Sequence, residues 1–142
     1  LAFVQTIAGT CSPHTNEHIR RYTYPPGFDY LDREHVETTM WIIARHTRDL
    51  NALLHAQSPV TPATLEQVDV HLAALDALIG DLPAGGALSH PLLGQNIVKF
   101  REDIRAARMN AAAEPPNLYL AGSIAGACGY CHGPGYPGTR AR

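Results

Sequence analysis

The chain has 142 residues, of which 45% are hydrophobic and 17% charged, the balance of one globular domain large enough to bury a core without splitting. With a formal net charge of −2, nothing suggests a nucleic-acid partner. No stretch is long and apolar enough to cross a bilayer, since the best candidate, Leu1 to Ile7, is short and interrupted by Gln5.

Residues 1–31 read as an irregular N-terminal arm. The chain starts at Leu rather than Met, and Leu1 to Thr10 has the character of the tail end of an export signal. Ala8-Gly9-Thr10-Cys11 is a poor match to the small-residue run before a lipid-modified cysteine. Cys11, His14 and His18 follow a C-x-x-H-x-x-x-H spacing that would gather metal ligands on a turn and a helix start. A structural metal site wants a fourth ligand, so surface histidines beside a lone thiol are the simpler reading. Attachment to lipid, to a partner chain, or burial under the arm would each account for a thiol in an oxidising compartment. Tyr22-Thr23-Tyr24-Pro25-Pro26-Gly27-Phe28 is expected to be extended or turn structure, because proline disfavours helix at itself and at the residue before it.

From Asp32 the pattern changes to apolar or small residues at alternating steps of four and three. Val36, Met40, Ile43, Thr47, Leu50 and Leu54 make the first stripe. Thr61-Pro62, an N-cap residue followed by proline where a missing N–H costs nothing, opens a second helix with Leu65, Val68, Leu72, Leu75, Ile79 and Leu82. A third follows Ser89 and Pro91, carries Leu93, Ile97, Phe100, Ile104, Ala107 and Ala111, and stops at Pro115-Pro116. The fourth takes Asn117 as cap, carries Leu120, Ile124, Ala127 and Cys131, and ends at Gly133. Strand signals are absent. The spacing and short connections predict an all-α protein, an antiparallel four-helix bundle over residues 32–133. A Gly/Pro-rich tail, residues 134–142, closes the chain. Ten arginines accompany a single lysine, Lys99, a bias with no functional reading at this level.

The chemistry is concentrated at Cys128-Gly129-Tyr130-Cys131-His132. In a C-x-x-C-H run each thiol can form a thioether to a haem vinyl group while the adjacent imidazole reaches the iron. Half a zinc site would need further ligands, and the only other cysteine is Cys11. A redox dithiol would want a strand before it and a helix after it, the reverse of the order here. One covalent haem c, attached at Cys128 and Cys131 with His132 as proximal iron ligand, is therefore expected.

A C-terminal C-x-x-C-H on a four-helix bundle resembles the cytochrome c′ family. The likeness extends to Glu37-Thr38-Thr39-Met40-Trp41-Ile42-Ile43-Ala44-Arg45-His46, similar to the family's first helix, to Phe100 with Ala106-Ala107-Arg108, and to the approach Gly126-Ala127-Cys128. It covers about Asp32 to His132, and only the haem motif is highly specific. The resemblance puts Met40 over the distal face of the haem. Family members with a non-coordinating aliphatic there are high-spin and bind small gases such as nitric oxide or carbon monoxide. Relatives with methionine are low-spin and suited to electron transfer. A thioether favours ferrous iron and raises the potential, and saturating both axial positions leaves no open site for a substrate, so a carrier and not an enzyme is expected. Met40 as simple core filling is the competing reading.

The other histidines are assigned smaller parts. His35 is the runner-up sixth ligand, and His46 lies six residues from Met40, off its helical face. His55, His71 and His90 sit at helix ends or between stripes, where solvated histidine is usual. Trp41 points away from Met40 and is expected to pack on a neighbour or an interface. Two departures from the family stand out: Tyr136 occupies the position four after the haem histidine where members carry a base, with the next arginine at Arg140, and the arm is extra. Together these features imply a periplasmic electron carrier with redox proteins as partners, free, paired as a homodimer, or docked through the arm into a larger redox assembly; the alternative is a high-spin gas-binding haem protein.

Overall fold

The structure is a computed structural model, and it describes residues 19, 22–23, 28–29, 31–56, 60–82, 87–88 and 91–133. The stripes foreseen from the four-and-three spacing are the faces that the fold buries. Helix α1 spans Arg33–Ala56, α2 Pro62–Gly80, α3 Pro91–Ala111 and α4 Tyr119–Ala127, with a single further turn, α5, at Gly129–His132. Each long helix packs on the next in sequence, and α4 returns to α1. No described helix is long and apolar enough to cross a membrane.

Local chemistry sets the starts of these helices. Asp32 Oδ1 accepts the Glu34 N–H at 2.9 Å ahead of α1. Thr61 and Thr64 exchange hydrogen bonds at the start of α2: Thr61 Oγ1 accepts the Thr64 N–H at 3.1 Å, and Thr64 Oγ1 accepts the Thr61 N–H at 3.4 Å. That reciprocal cap satisfies two donors that the first turn leaves without carbonyl partners. At α4 the N-cap is Leu118, one residue past the expected Asn117, and has no side-chain cap; Asn117 Oδ1 accepts the Tyr119 N–H at 2.9 Å from just outside the helix.

Further local details differ from the expectation. The fourth helix does not run unbroken to Gly133 but ends at Ala127 and restarts at Gly129, where three glycines within eight residues, Gly122, Gly126 and Gly129, weaken helix continuity. Phe28–Asp29 pairs in parallel with Ala87–Leu88, a two-residue contact that no alternating pattern announces. Tyr22 and Thr23, expected to be extended or turn structure, are helical. Cys11, His14 and His18 of the arm lie outside the described residues, as do His90, Tyr136 and Arg140.

The deepest packing lies between α2 and α3, where Val68, Leu72, Leu75, Ile104 and Ala107 are wholly shielded from solvent. Burying a Leu or Ile side chain contributes about 1.5–3 kcal/mol, so this seam carries a large share of the favourable burial. Its rim is ionic. Asp76 accepts from Arg101 Nε at 2.9 Å and Arg105 Nε at 3.3 Å, and Asp69 accepts from Arg108 Nε at 2.9 Å and Nη2 at 3.3 Å. The partners descend one helix as they climb the other, so α2 and α3 run in opposite directions. Arginine suits these bridges because its planar fork reaches across a seam and can hold two oxygens at once. Gly80 makes room for the bridge: a Cβ there would lie 2.8 Å from Arg101 Nη2. The arginine bias thus has a structural use.

Candidate functional site

The turn after α4 gathers the motif. The Cys128 carbonyl accepts both the Cys131 N–H at 3.3 Å and the His132 N–H at 2.9 Å, winding the five residues into one helical turn. Residues three apart on such a turn share a side, so both thiols face the same way. Both are half-buried and neither is in a disulfide. Burial pushes the Cys131 thiol up from its ordinary value and the neighbouring Cys128 adds to this, while a hydrogen bond with Asn96 of α3 works against it.

Gly133 ends the turn, and its missing side chain is a requirement. A Cβ there would stand 2.7 Å from the Gly129 carbonyl oxygen, a backbone atom that cannot swing aside.

The turn is clasped to α3. Tyr130, inside the motif, donates its hydroxyl to Asp103 Oδ2 at 2.7 Å. Lys99, one helical turn before Asp103, donates to both carboxylate oxygens at 3.2 and 3.3 Å and sits 4.8 Å from the Tyr130 ring centroid. Tyr130 and then Asp103 shift the Lys99 ammonium upward, holding it charged. Sequence reasoning missed Lys99, Asp103, Tyr130 and Asn96. A faint signal existed, since Lys99 and Asp103 are spaced as an i,i+4 pair on a helix, but nothing local tied them to Tyr130.

On α1, Met40 is half-buried and packs against the central core, flanked by buried Thr39 and Ile43. His35, the runner-up ligand, is exposed. Trp41 is 78% exposed and faces away from the core, so it packs on no described neighbour. The inner face of α1 is also unusually polar: Thr47 lies on the buried stripe, and its Oγ1 has no hydrogen-bond partner among the described residues. The structure therefore joins Cys128, Cys131 and His132 in one turn and leaves Met40 on a separate helix, on its core side. His132 is exposed at the end of that turn.

His71 departs from its expectation. It is half-buried and faces His46 across α1 and α2, because the tertiary fold brings two off-stripe positions together. His55 is exposed and bonds to the Asn51 carbonyl at 2.8 Å. An open, largely apolar groove of about 460 Å³ lined by Leu54, Val60, Leu118, Tyr119, Gly122 and Ser123 lies by the start of α4, at the opposite end of that helix from the motif. Among the described residues no three His, Cys, Asp or Glu side chains converge on one point as a metal cage.

As a donor set, two thiols on one side of a turn, an imidazole in the next position and a thioether on the core side of a separate helix fit the chemistry of a covalently held haem. No known family matches the chain, and no curated protein or solved structure does either.

Proposed function

We propose that this protein is a mono-haem c-type cytochrome, an electron carrier built on an antiparallel four-helix bundle of the cytochrome c′ kind and located in the periplasm. Cys128 and Cys131 would hold the haem through thioethers, with His132 as proximal and Met40 as distal ligand. When bound, haem supplies a one-electron couple between ferric and ferrous iron. The chain's own residues bind it, shield it and bias it.

The observation that carries the reading is the single turn Cys128–His132, with two half-buried thiols on one side. The packing of α4 against α1 supports Met40. A Cβ on Gly122 would lie 4.0 Å from Leu54 Cδ1, so the end of α1 meets the start of α4. If these helices run antiparallel, the path back from Leu54 to Met40 covers about 21 Å and that from Gly122 forward to Cys131 about 14 Å at 1.5 Å per residue. Both paths then lead to the same end of the bundle. Soft thioether sulfur packed against the core favours the ferrous state.

The test is optical. The reduced, full-length protein is expected to give a pyridine haemochrome of covalent haem c and narrow, split α and β bands, which mark six-coordinate low-spin iron. Met40→Ala should convert it to a broad high-spin spectrum. A colourless protein expressed with the c-haem attachment machinery rejects the whole proposal. A wild-type high-spin spectrum, with a carbonyl adduct unaffected by Met40→Ala, rejects the carrier and replaces it with a gas-binding haem protein.

A further inference from the structure

His46 of α1 and His71 of α2 meet with their Nδ1 atoms 3.2 Å apart, ring centroids 5.4 Å apart and ring planes inclined by 66°. Both are half-buried, and the electron-carrier reading uses neither. Two neutral rings can share one hydrogen bond at this distance, with the Nδ1–H of one donating to the lone pair of the other. The same separation also suits two nitrogens on one metal ion. With nitrogen–metal bonds of about 2.0–2.1 Å, a 3.2 Å separation implies a ligand angle of about 100°, between octahedral and tetrahedral values. Aiming each lone pair at the ion rather than at the opposite ring takes a rotation about χ2, a broad and soft torsion.

We propose that His46 and His71 form a bis-imidazole site for a borderline divalent cation, Cu²⁺ or Zn²⁺, bridging α1 and α2 independently of the C-x-x-C-H turn. Imidazole is the ligand type these ions share, and Cu²⁺ should bind more tightly than Zn²⁺. Burial, and then the facing His71, hold His46 below the ordinary histidine value; both imidazoles must be neutral to bind a cation. The surrounding charges oppose one another. Arg45 repels a cation at His46, while Asp49, one turn further along α1, attracts it. Asp49 also accepts from Arg48. With no third His, Cys, Asp or Glu converging among the described residues, water completes the coordination, and the site is exchangeable rather than a structural metal cage.

The test is titration of the haem-loaded, full-length protein with Zn²⁺, and separately Cu²⁺, in a non-coordinating buffer at neutral pH. One equivalent is expected to bind with an affinity that falls tenfold or more in His46→Ala and in His71→Ala, and is kept in a His14→Ala/His18→Ala variant. Equal affinity in the wild type and both single variants overturns the proposal, as does loss of binding in the arm variant alone. His71→Gln, which retains bulk and polarity, guards against loosened helix packing, with circular dichroism as the folding control. A readout on the unmodified protein closes the test: Zn²⁺ should shift the ring resonances of His46 and His71 ahead of those of the other histidines, and any other order sinks the site.

Discussion

The α2–α3 seam and the turn that follows α4 solve opposite problems. Along the seam, aliphatic side chains reach complete burial and arginine–aspartate pairs tie the rim. At the turn, the chemically useful side chains stay half-buried or exposed, and a polar clasp from α3 holds them. The seam exchanges water contact for stability; the turn keeps its thiols and imidazole within reach of a ligand. The contrast teaches that the scaffold and the site have separable determinants.

The sharpest way to break this separation is at the thiols. Cys128→Ala together with Cys131→Ala is expected to abolish covalent haem completely while leaving helix content near that of the unloaded wild-type chain; haem staining after denaturing electrophoresis and far-ultraviolet circular dichroism read the two effects. Retention of covalent haem would falsify the assignment of the attachment site.

Next in size is the seam itself. Ile104→Ala removes a side chain with no solvent exposure and should cost about 2–5 kcal/mol in urea unfolding, with no change in axial ligation in the protein that remains folded. Gly133→Ala probes the turn. A Cβ forced against the Gly129 carbonyl should destabilise by about 1 kcal/mol or more and lower haem loading, whereas Gly126→Ala, where a Cβ meets nothing within 4 Å, should leave loading intact. Equal behaviour of the two would show that the turn does not need its glycine.

Asp76 sharpens the comparison through pH. Its hydrogen bond with Arg101, followed by the charge of Arg105, holds its carboxyl below the ordinary 3.8 against the opposing effect of burial. The unfolded chain therefore binds the proton more readily than the folded one, so this contribution is fully present above pH 4 and fades as pH falls through the lower folded value. Asp76→Asn should cost about 1–2 kcal/mol at pH 7, and the gap between variant and wild type should narrow in acid; a gap independent of pH would show that the pair contributes nothing through its charge. The smallest effect is expected from Tyr130→Phe, which removes the hydroxyl bonded to Asp103. Stability should hardly move, but near-ultraviolet circular dichroism at the turn should change; an unaltered signal would mean the clasp does not order it.

Much of the scaffold was legible because helix periodicity is a local property. The stripe Val68, Leu72, Leu75, Ile79 is the buried face of α2, and Leu93, Ile97, Ile104, Ala107 that of α3, as the spacing of four and three demands. Thr61 was recognisable for the same reason, since a cap bonds to amides two or three residues away. The site was half legible. Cys128, Cys131 and His132 are contiguous, so their shared turn follows from spacing, whereas Tyr130 with Asp103 and His46 with His71 are joined across 27 and 25 residues, separations at which pattern carries no information. The interruption at Cys128 was missed because apolar spacing continues through it, and only backbone hydrogen bonding reveals the break.

Sequence alone determined the helical class, which faces turn inward and that Cys128 to His132 share one turn, because each depends on neighbours within a turn or two. Tertiary structure alone decided that α3 supplies the clasp for the motif, that arginines lock the α2–α3 seam and that two unremarked histidines confront each other. Those contacts arise only when helices distant along the chain pack together and bring charge and lone pairs within hydrogen-bonding range.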